Sequence, residues 1–436
     1  MNHIFSKYTL KICYNIDQVK VYFKRLGDEI KLKYVKRKEY LDFLNRHRDK
    51  KIIKIVSGVR RSGKSTLFEL FKDELRTEGI QPDQLITMNF EDMDNEPYLQ
   101  ADKLYHHISK MLISNKMNYV FLDEIQNVDH FEKAVNSLFL KDNVDLYLTG
   151  SNAYFLSSDI ATVLSGRYVE LKMLPLSFKE YVEWNRQNNV VKKNEELFNQ
   201  YLESSFPYTL FVDSEKEKLE YLQGIYSTVV LKDIVARLSV RDVEVLERII
   251  RTLFSDIGSL VNVNKIKNTL VSSGYKASNP SISNYLTGIT DSLIMYPVSQ
   301  YDIHGRRLLG TQKKYYAVDV GLRRLLLADH QQDFGHIIEN IVFLELKRRG
   351  YEVYVGNTGK YEVDFVAVDA KQNVEYYQVS LTTLDEQTLQ RELRSLQAIN
   401  DQYPKYLITL DQINRTANYN GIQKVNLIDW LLDSRN

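Results

Sequence analysis

Residues 58–66 read Gly58-Val59-Arg60-Arg61-Ser62-Gly63-Lys64-Ser65-Thr66, which fits the pattern G-x-x-x-x-G-K-[ST]. Few folds accept this loop between the flanks it has here. Residues 51–57 are an apolar, β-branched run (Ile52, Ile53, Ile55, Val56), and Leu67, Leu70, Phe71 and Leu75 then recur at helical spacing. Strand, glycine loop and helix start together aim a helix dipole and open N–H groups at an anion. Gly58 and Gly63 admit backbone angles that a Cβ forbids, so the chain between them can curl around phosphate oxygens. Lys64 can reach the β- and γ-phosphates, and Ser65 offers a hydroxyl to Mg²⁺. Arg60, Arg61, Ser62 and Thr66 complete the loop. The expected ligand is ATP with Mg²⁺.

A second signal stands at the right distance. Tyr119-Val120-Phe121-Leu122-Asp123-Glu124 is a buried-type strand that ends in two acids. A carboxylate at that tip suits the Mg²⁺ water shell, the role expected of Asp123. Glu124 beside it can polarise a water for attack on the γ-phosphate. Between the two motifs lies another strand candidate, residues 85–90. A strand inserted there separates the additional-strand, catalytic-glutamate ATPases from the kinase-and-GTPase branch. Residues 142–149 give a fourth strand, ending in Gly150-Ser151-Asn152. Ser151 or Asn152 can sense the γ-phosphate and orient the water, or can cap the next helix. Arg167 follows Leu164-Ser165-Gly166 and precedes a fifth strand, residues 168–174. It fits an arginine that reaches a neighbouring subunit's nucleotide, or an intradomain partner.

These segments, with Thr149-Gly150-Ser151-Asn152 and the run Leu174-Pro175-Leu176-Ser177-Phe178, resemble the prokaryotic AAA-type ATPases that carry a C-terminal domain of unknown function. The resemblance runs from about Val35 to the end. Nothing in catalysis requires the Pro-Leu-Ser-Phe segment, so it is the most family-specific piece. The resemblance implies ATP binding and hydrolysis, without a settled biological role.

A chain of 436 residues exceeds one ordinary core, and 44% apolar with 26% charged residues supplies enough of both for several globular domains. The expected fold class is α/β: a P-loop NTPase parallel sheet, then a helical and winged-helix region, then a small α/β nuclease-like domain. The expected divisions are an N-terminal extension at 1–34, an ATPase domain at 35–185, a helical subdomain at 186–240, a winged-helix-like region at 241–330 and a nuclease-like domain at 331–436. Residues 1–34 fit either a loose extension or a strand and helix packed on the ATPase. A net charge of +1 excludes a polyelectrolyte that binds nucleic acid by bulk charge, so DNA contacts must come from local patches. The single cysteine, Cys13, excludes an intrachain disulfide and fits the cytoplasm. No apolar stretch reaches the length of a membrane span, and lysines and Asp17 interrupt any secretory signal.

The middle of the chain reads as helices near 178–184, 195–204 and 216–238, with Lys232 and Arg237 solvated. Helices near 243–257, 263–273 and 281–292 follow, then strands at 293–301 and 313–318, which is a winged-helix order. The third helix carries Ser283, Asn284 and Tyr285 but no Lys or Arg. A DNA backbone would therefore meet His304, Arg306 and Arg307 at the wing tip instead. Protein contact is the equal alternative for such a unit, so DNA and a protein client are both candidate partners, and an oligomer is compatible with the Arg167 reading.

The last hundred residues pose a second chemical question. Glu339 lies in a helix at 337–349, Asp364 in a strand at 362–368, and Gln378 and Ser380 alternate on a strand at 375–380. This order resembles the PD-(D/E)XK nuclease core. The resemblance implies a Mg²⁺ site at Glu339, Asp364 and Gln378. Ser380 stands where the core has its lysine, and a hydroxyl supplies no positive charge. Cleavage would then need another cation, such as Lys347 or Lys360, so a fold kept for binding or packing is the favoured reading.

Overall fold

The computed structural model describes residues 8–11, 22–25, 28–30, 34–151, 163–238, 240, 242–327 and 333–433. It divides into two compact units, one of Met1–Gly58 with Gly63–Met173, the other of Val59–Ser62 with Leu174–Asn436. Upstream of the first unit's main sheet, three short strands (Tyr8–Lys11, Tyr22–Arg25 and Asp28–Ile30) pair antiparallel with one another.

In the first unit, α1 (Lys38–His47) precedes β1 (Ile53–Ser57), α2 (Lys64–Thr77), β2 (Leu85–Asn89), α3 (Ala101–Met111), β3 (Asn118–Asp123), α4 (Phe131–Phe139), β4 (Val144–Gly150) and β5 (Tyr168–Lys172). The strands form one parallel sheet in the order β2-β3-β4-β1-β5. The strand expected at residues 85–90 exists as β2, but it lies at the sheet edge; the strand inserted between β1 and β3 is β4. Since all five strands run the same way, Ser57, Asp123 and Gly150 end at one edge, where open α/β sheets bind ligands.

Every residue of β1, β3 and β4 is buried, which is why these strands read as apolar runs rather than alternations. Leu67, Phe68, Phe71 and Leu75 of α2 join Leu41 and Leu44 of α1 against Phe121 and Tyr147. Leu104, Ile108, Val135 and Leu138 from α3 and α4 cluster with Ile53, Ile55, Val120 and Leu122. Phe121 stacks on Tyr147 at 4.8 Å between centroids and takes Phe68 edge-on at 5.3 Å. Truncating Phe121 to Ala would cost about 3–5 kcal/mol. Lys54 breaks the apolar rule. Its ammonium is fully buried against Asp145 of β4, and removing either partner would leave an unpaired buried charge at a cost of about 3–5 kcal/mol.

The second unit contains α5 (Phe178–Gln187), α6 (Asn194–Tyr201), α7 (Glu215–Thr228), α8 (Val243–Ser255), α9 (Val263–Ser272) and α10 (Asn279–Asp291). After β6 (Met295–Asp302) and β7 (Arg307–Ala317) come α11 (Val320–Leu326), α12 (Phe334–Arg348), β8 (Glu352–Asn357), β9 (Glu362–Val368) and β10 (Val374–Ser380). The chain closes with α13 (Glu386–Gln397), β11 (Lys405–Thr409), β12 (Ala417–Tyr419), β13 (Ile422–Asn426) and α14 (Leu427–Leu432).

The Pro-Leu-Ser-Phe segment opens this unit, and the structure supplies its reason. Arg348 of α12 donates to the carbonyls of Pro175 (3.2 Å) and Leu176 (3.0 Å), and the Tyr201 hydroxyl donates to Leu176 at 3.0 Å. Ser177 caps α5 by accepting from the Glu180 N–H, and Glu180 answers by accepting from the Ser177 N–H. Phe178 packs edge-on against Phe198 at 5.3 Å. The motif is an anchor.

Two local expectations change. The helix expected over 216–238 is α-helical only through Thr228 and then π-helical over Val229–Ala236. Arg237 is not solvated: it pairs with Asp291 at 3.1 Å and its side chain is only 18% exposed. Lys232 is exposed.

The hairpin β6–β7 is antiparallel, with Met295 opposite Ala317, and its exposed turn carries His304 and Arg306. It does not stand apart as a ribbon. β6 also pairs in parallel with β8 (Gln300 opposite Val355), so one mixed sheet runs β7-β6-β8-β9-β10-β11-β13-β12. No sheet boundary therefore falls at 330/331. Of the polar face expected on α10, Ser283 and Asn284 are exposed while Tyr285 is core. A single apolar cluster includes Val59, Leu253, Ile289, Tyr316, Phe343 and Leu431.

Candidate nucleotide site and C-terminal carboxylate cluster

The glycine loop bends at two left-handed positions, Arg61 (φ 64°) and Gly63 (φ 101°), the second of which is the N-cap of α2. Gly63 meets this demand at no steric cost, whereas Arg61 is held there by its neighbours. Lys64 is buried; its Nζ donates to the Gly58 carbonyl at 3.0 Å and lies 3.4 Å from Glu124 Oε1. Arg61 is exposed, Ser62 is buried, and Ser65 and Thr66 form the first turn of α2.

Asp123 is buried at the end of β3 and accepts hydrogen bonds from the hydroxyls of Ser65 and Thr149. Burial raises its carboxyl pKa, and the charge of Glu124 adds to the rise; Ser65, Thr149 and Lys64 act against both. The Ser65 hydroxyl and the Asp123 carboxylate are thus in contact, two hard oxygen donors of the kind Mg²⁺ takes with a triphosphate. The residues fit the cofactor.

Glu124 sits in the left-handed region (φ 53°, ψ 44°), unusual for a residue with a side chain and costing about 1–3 kcal/mol. Thr149 holds it there, since its hydroxyl oxygen accepts from the Glu124 N–H at 2.8 Å. Gln126 donates to Glu124 Oε2 at 2.5 Å and to Ser151 Oγ at 3.2 Å. Ser151 is therefore tied to the candidate base through Gln126. Asn152 lies outside the described residues. Arg167 donates to Asn136 Oδ1, with its guanidinium 5.8 Å from the Phe139 ring centroid, so its recorded partners lie within its own unit. In the second unit, Arg60 makes a two-armed pair with Asp233, at 2.9 Å from Nε to Oδ2 and 3.1 Å from a terminal nitrogen to Oδ1.

Thr149 and Gln126 have no assigned role in the sequence reading. The available signal for Thr149 is a hydroxyl at the end of an otherwise apolar strand, directly before Gly150. Gln126 offers none, because its reach to Ser151 depends on the turn at Ile125–Asn127.

In the second unit, Glu339 and Asp364 do come together, but around a lysine. Lys314 Nζ lies 3.0 Å from Glu339 Oε1, 2.8 Å from Glu362 Oε1 and 3.9 Å from Asp364 Oδ1. The Tyr316 hydroxyl donates to Glu339 at 2.6 Å, and the Val379 N–H donates to Asp364 Oδ2 at 2.8 Å. Gln378 accepts from the Asp364 N–H at 3.4 Å, while its amide also donates to Glu392 at 2.9 Å and accepts from Ser395 at 3.0 Å. The Ser380 hydroxyl donates to the Thr382 carbonyl at 3.1 Å. Lys347 donates to the Tyr351 carbonyl at 3.3 Å, and Lys360 is exposed over the Tyr361 ring. Among the described residues, no group of three or more His, Cys, Asp or Glu side chains is arranged to hold a metal ion.

An uncharacterized protein of Haemophilus influenzae is 39% identical over 400 residues, covering 91% of this chain and 98% of that protein. The two chains belong to one family. An uncharacterized protein of Methanocaldococcus jannaschii is 29% identical over 394 residues, covering 86% of this chain and 85% of its own length. Residues 50–182 match the family described as AAA domain, and residues 194–333 match a domain of unknown function, DUF8612. Among solved structures, the Walker-type ATPase PABY2304 of Pyrococcus abyssi aligns at 16% identity with a TM-score of 0.46, over 66% of this chain and 95% of that one. The first unit of this family member is an AAA-type P-loop fold, a fold that binds nucleotide. Among the described residues, no helix is long and apolar enough to cross a membrane.

Proposed function

We propose that the chain is a Mg²⁺-dependent ATPase that uses its nucleotide state to move its C-terminal modules, with a client yet to be identified. The observation that carries this reading is the group Lys64, Asp123, Glu124 and Thr149 at the carboxyl edge of the parallel sheet. Lys64 places a positive charge on the β- and γ-phosphates. Asp123 and Ser65 would hold Mg²⁺, which when bound neutralises charge developing on the transferred phosphoryl group. Glu124 takes the proton of the attacking water as its oxygen bonds to the γ-phosphorus and the bond to the β-phosphate oxygen breaks. Gln126 and Ser151 orient the Glu124 carboxylate.

Movement of the modules is supported by the chain's own partition. Val59–Ser62, the middle of the glycine loop, packs with the second unit, while Gly58 and Gly63 on either side belong to the first. Within the second unit, a shift of Arg60 on phosphate binding would be carried by Asp233 to the π-helical segment. Phosphate release from ATP–Mg²⁺, compared between wild type and Glu124→Gln, tests the enzyme. The reading fails if wild-type protein binds ATP–Mg²⁺ yet never releases phosphate.

A further inference from the structure

The carboxylate cluster of the second unit has the oxygen donors of a metal site and a lysine at its centre. We propose that the Lys314 ammonium is a built-in substitute for a divalent cation, and that it closes to metals a site which Glu339, Glu362 and Asp364 would otherwise offer. This does not rest on the ATPase reading, since none of these residues belongs to the first unit.

Three observations carry it. First, the distances suit an ammonium: two contacts of 2.8 and 3.0 Å and a third at 3.9 Å are hydrogen-bond and ion-pair lengths. Mg²⁺ demands oxygens at about 2.0–2.1 Å in near-octahedral array. Second, the lysine has nowhere else to go. Its side chain is 3% exposed, and a buried ammonium without carboxylates around it would shed its proton. Here Glu339, Glu362 and Asp364 lie around it. Third, neighbours pack closely on Glu339. Gly258 lies so near that a Cβ there would meet the His336 ring at 2.7 Å and Glu339 Oε2 at 3.1 Å. Tyr316, fully buried, fills another side and donates to Glu339.

The charge arithmetic explains why the substitution works in one direction only. Three carboxylates share one ammonium, so the acids outnumber the cation that separates them. Taking away the lysine would leave three acids facing one another with no cation. Such a pocket favours a hard divalent ion strongly, provided the side chains relax toward it.

The test uses nucleotide-free, full-length protein and Mn²⁺ as the probe, followed by calorimetry and by the thermal midpoint. Wild type is expected to show no Mn²⁺ binding that Asp364→Asn removes. Lys314→Ala should gain one Mn²⁺ site that is lost again in Lys314→Ala/Asp364→Asn, with a melting point that is lowered without metal and partly restored by it. Lys314→Arg, which keeps the charge, should gain nothing. The proposal is overturned by wild-type Mn²⁺ binding that depends on Asp364, or by a folded Lys314→Ala protein with no new site. If Lys314→Ala does not fold, the wild-type arm and Lys314→Arg still decide the matter, because Asp364-dependent Mn²⁺ binding by either rejects the closed site.

Discussion

The Lys64 ammonium lies 3.4 Å from a carboxylate oxygen of Glu124, so the group proposed to grip phosphate and the group proposed to activate water share one ion pair. A triphosphate would compete with Glu124 for this lysine, leaving the carboxylate to its second contact, Gln126. In the proposed mechanism, ATP binding and release of the base are one exchange of partners. Replacing Lys64 by Ala should therefore abolish the rise in thermal midpoint that ATP–Mg²⁺ gives the wild type. At about 100 times the dissociation constant that rise corresponds to ~2.7 kcal/mol. An unchanged ATP response in Lys64→Ala would remove the loop assignment.

Glu124→Gln keeps the side chain's size and its bond with Thr149 through the backbone, but removes the base. Turnover should fall about a hundredfold or more while ATP binding survives. Single-turnover phosphate release measures this directly, and a fully active variant would assign the water to another residue. The companion change Thr149→Val should also slow turnover, because it frees the Glu124 backbone from its left-handed conformation and removes a donor to Asp123.

The Arg60–Asp233 pair predicts a long-range effect. ATP should slow amide exchange across Val229–Ala236 in the wild type, and Arg60→Ala should lose that protection while still binding ATP. Equal protection in both proteins would show that the segment does not respond through Arg60. A double-mutant cycle with Asp233→Ala should give a coupling energy on the order of 0.5–3 kcal/mol.

Arg167 is held by Asn136 and Phe139 of its own unit, so Arg167→Ala should lower stability by about 1.5–3 kcal/mol, the cost of one lost charge-assisted hydrogen bond. Mixing Arg167→Ala with Glu124→Gln subunits separates this from a role across a subunit boundary. Restored activity in the mixture would establish the boundary role.

Asp411 is one source of acid sensitivity. Burial alone would raise its pKa, but hydrogen bonds from Lys424, Thr382 and Thr383 pull it from 3.8 down to about 2. A carboxyl depressed in the folded state adds stability above its unfolded pKa, and that stability is lost as pH falls through the folded value. Between pH 4 and pH 2 the wild type should therefore lose about 2 kcal/mol more than Asp411→Asn. Denaturant titrations at the two pH values check it, and parallel losses in both proteins would reject it.

The first unit was largely legible because its strands are buried on both faces and its motifs are local. Asp123, Glu124 and the Lys64 loop each lie within a few residues of the pattern that reveals them. What escaped depends on contacts far along the chain. Lys314 is one of two adjacent lysines in its strand, and only the approach of Glu339 and Glu362, 25 and 48 residues on, gives its charge a purpose. Gln378 occupies the expected position on β10, yet Glu392 and Ser395 of α13 capture its amide. The hairpin β6–β7 has the spacing of a free ribbon, and the pairing of Gln300 with Val355 is invisible until β8 exists. Arg348 likewise explains the Pro-Leu-Ser-Phe motif from 173 residues away. The turn from α- to π-helix at Thr228 has no signature in the apolar spacing, which continues through it.

The Arg60–Asp233 pair has a consequence for the newborn protein. A ribosome adding about 5–20 residues per second needs roughly 9–35 s to pass from the glycine loop to Asp233. By then every strand of the parallel sheet has been made. The phosphate loop is among the earliest parts of the fold to be translated, yet its Arg60 gains the Asp233 carboxylate only after the sheet beside it is complete.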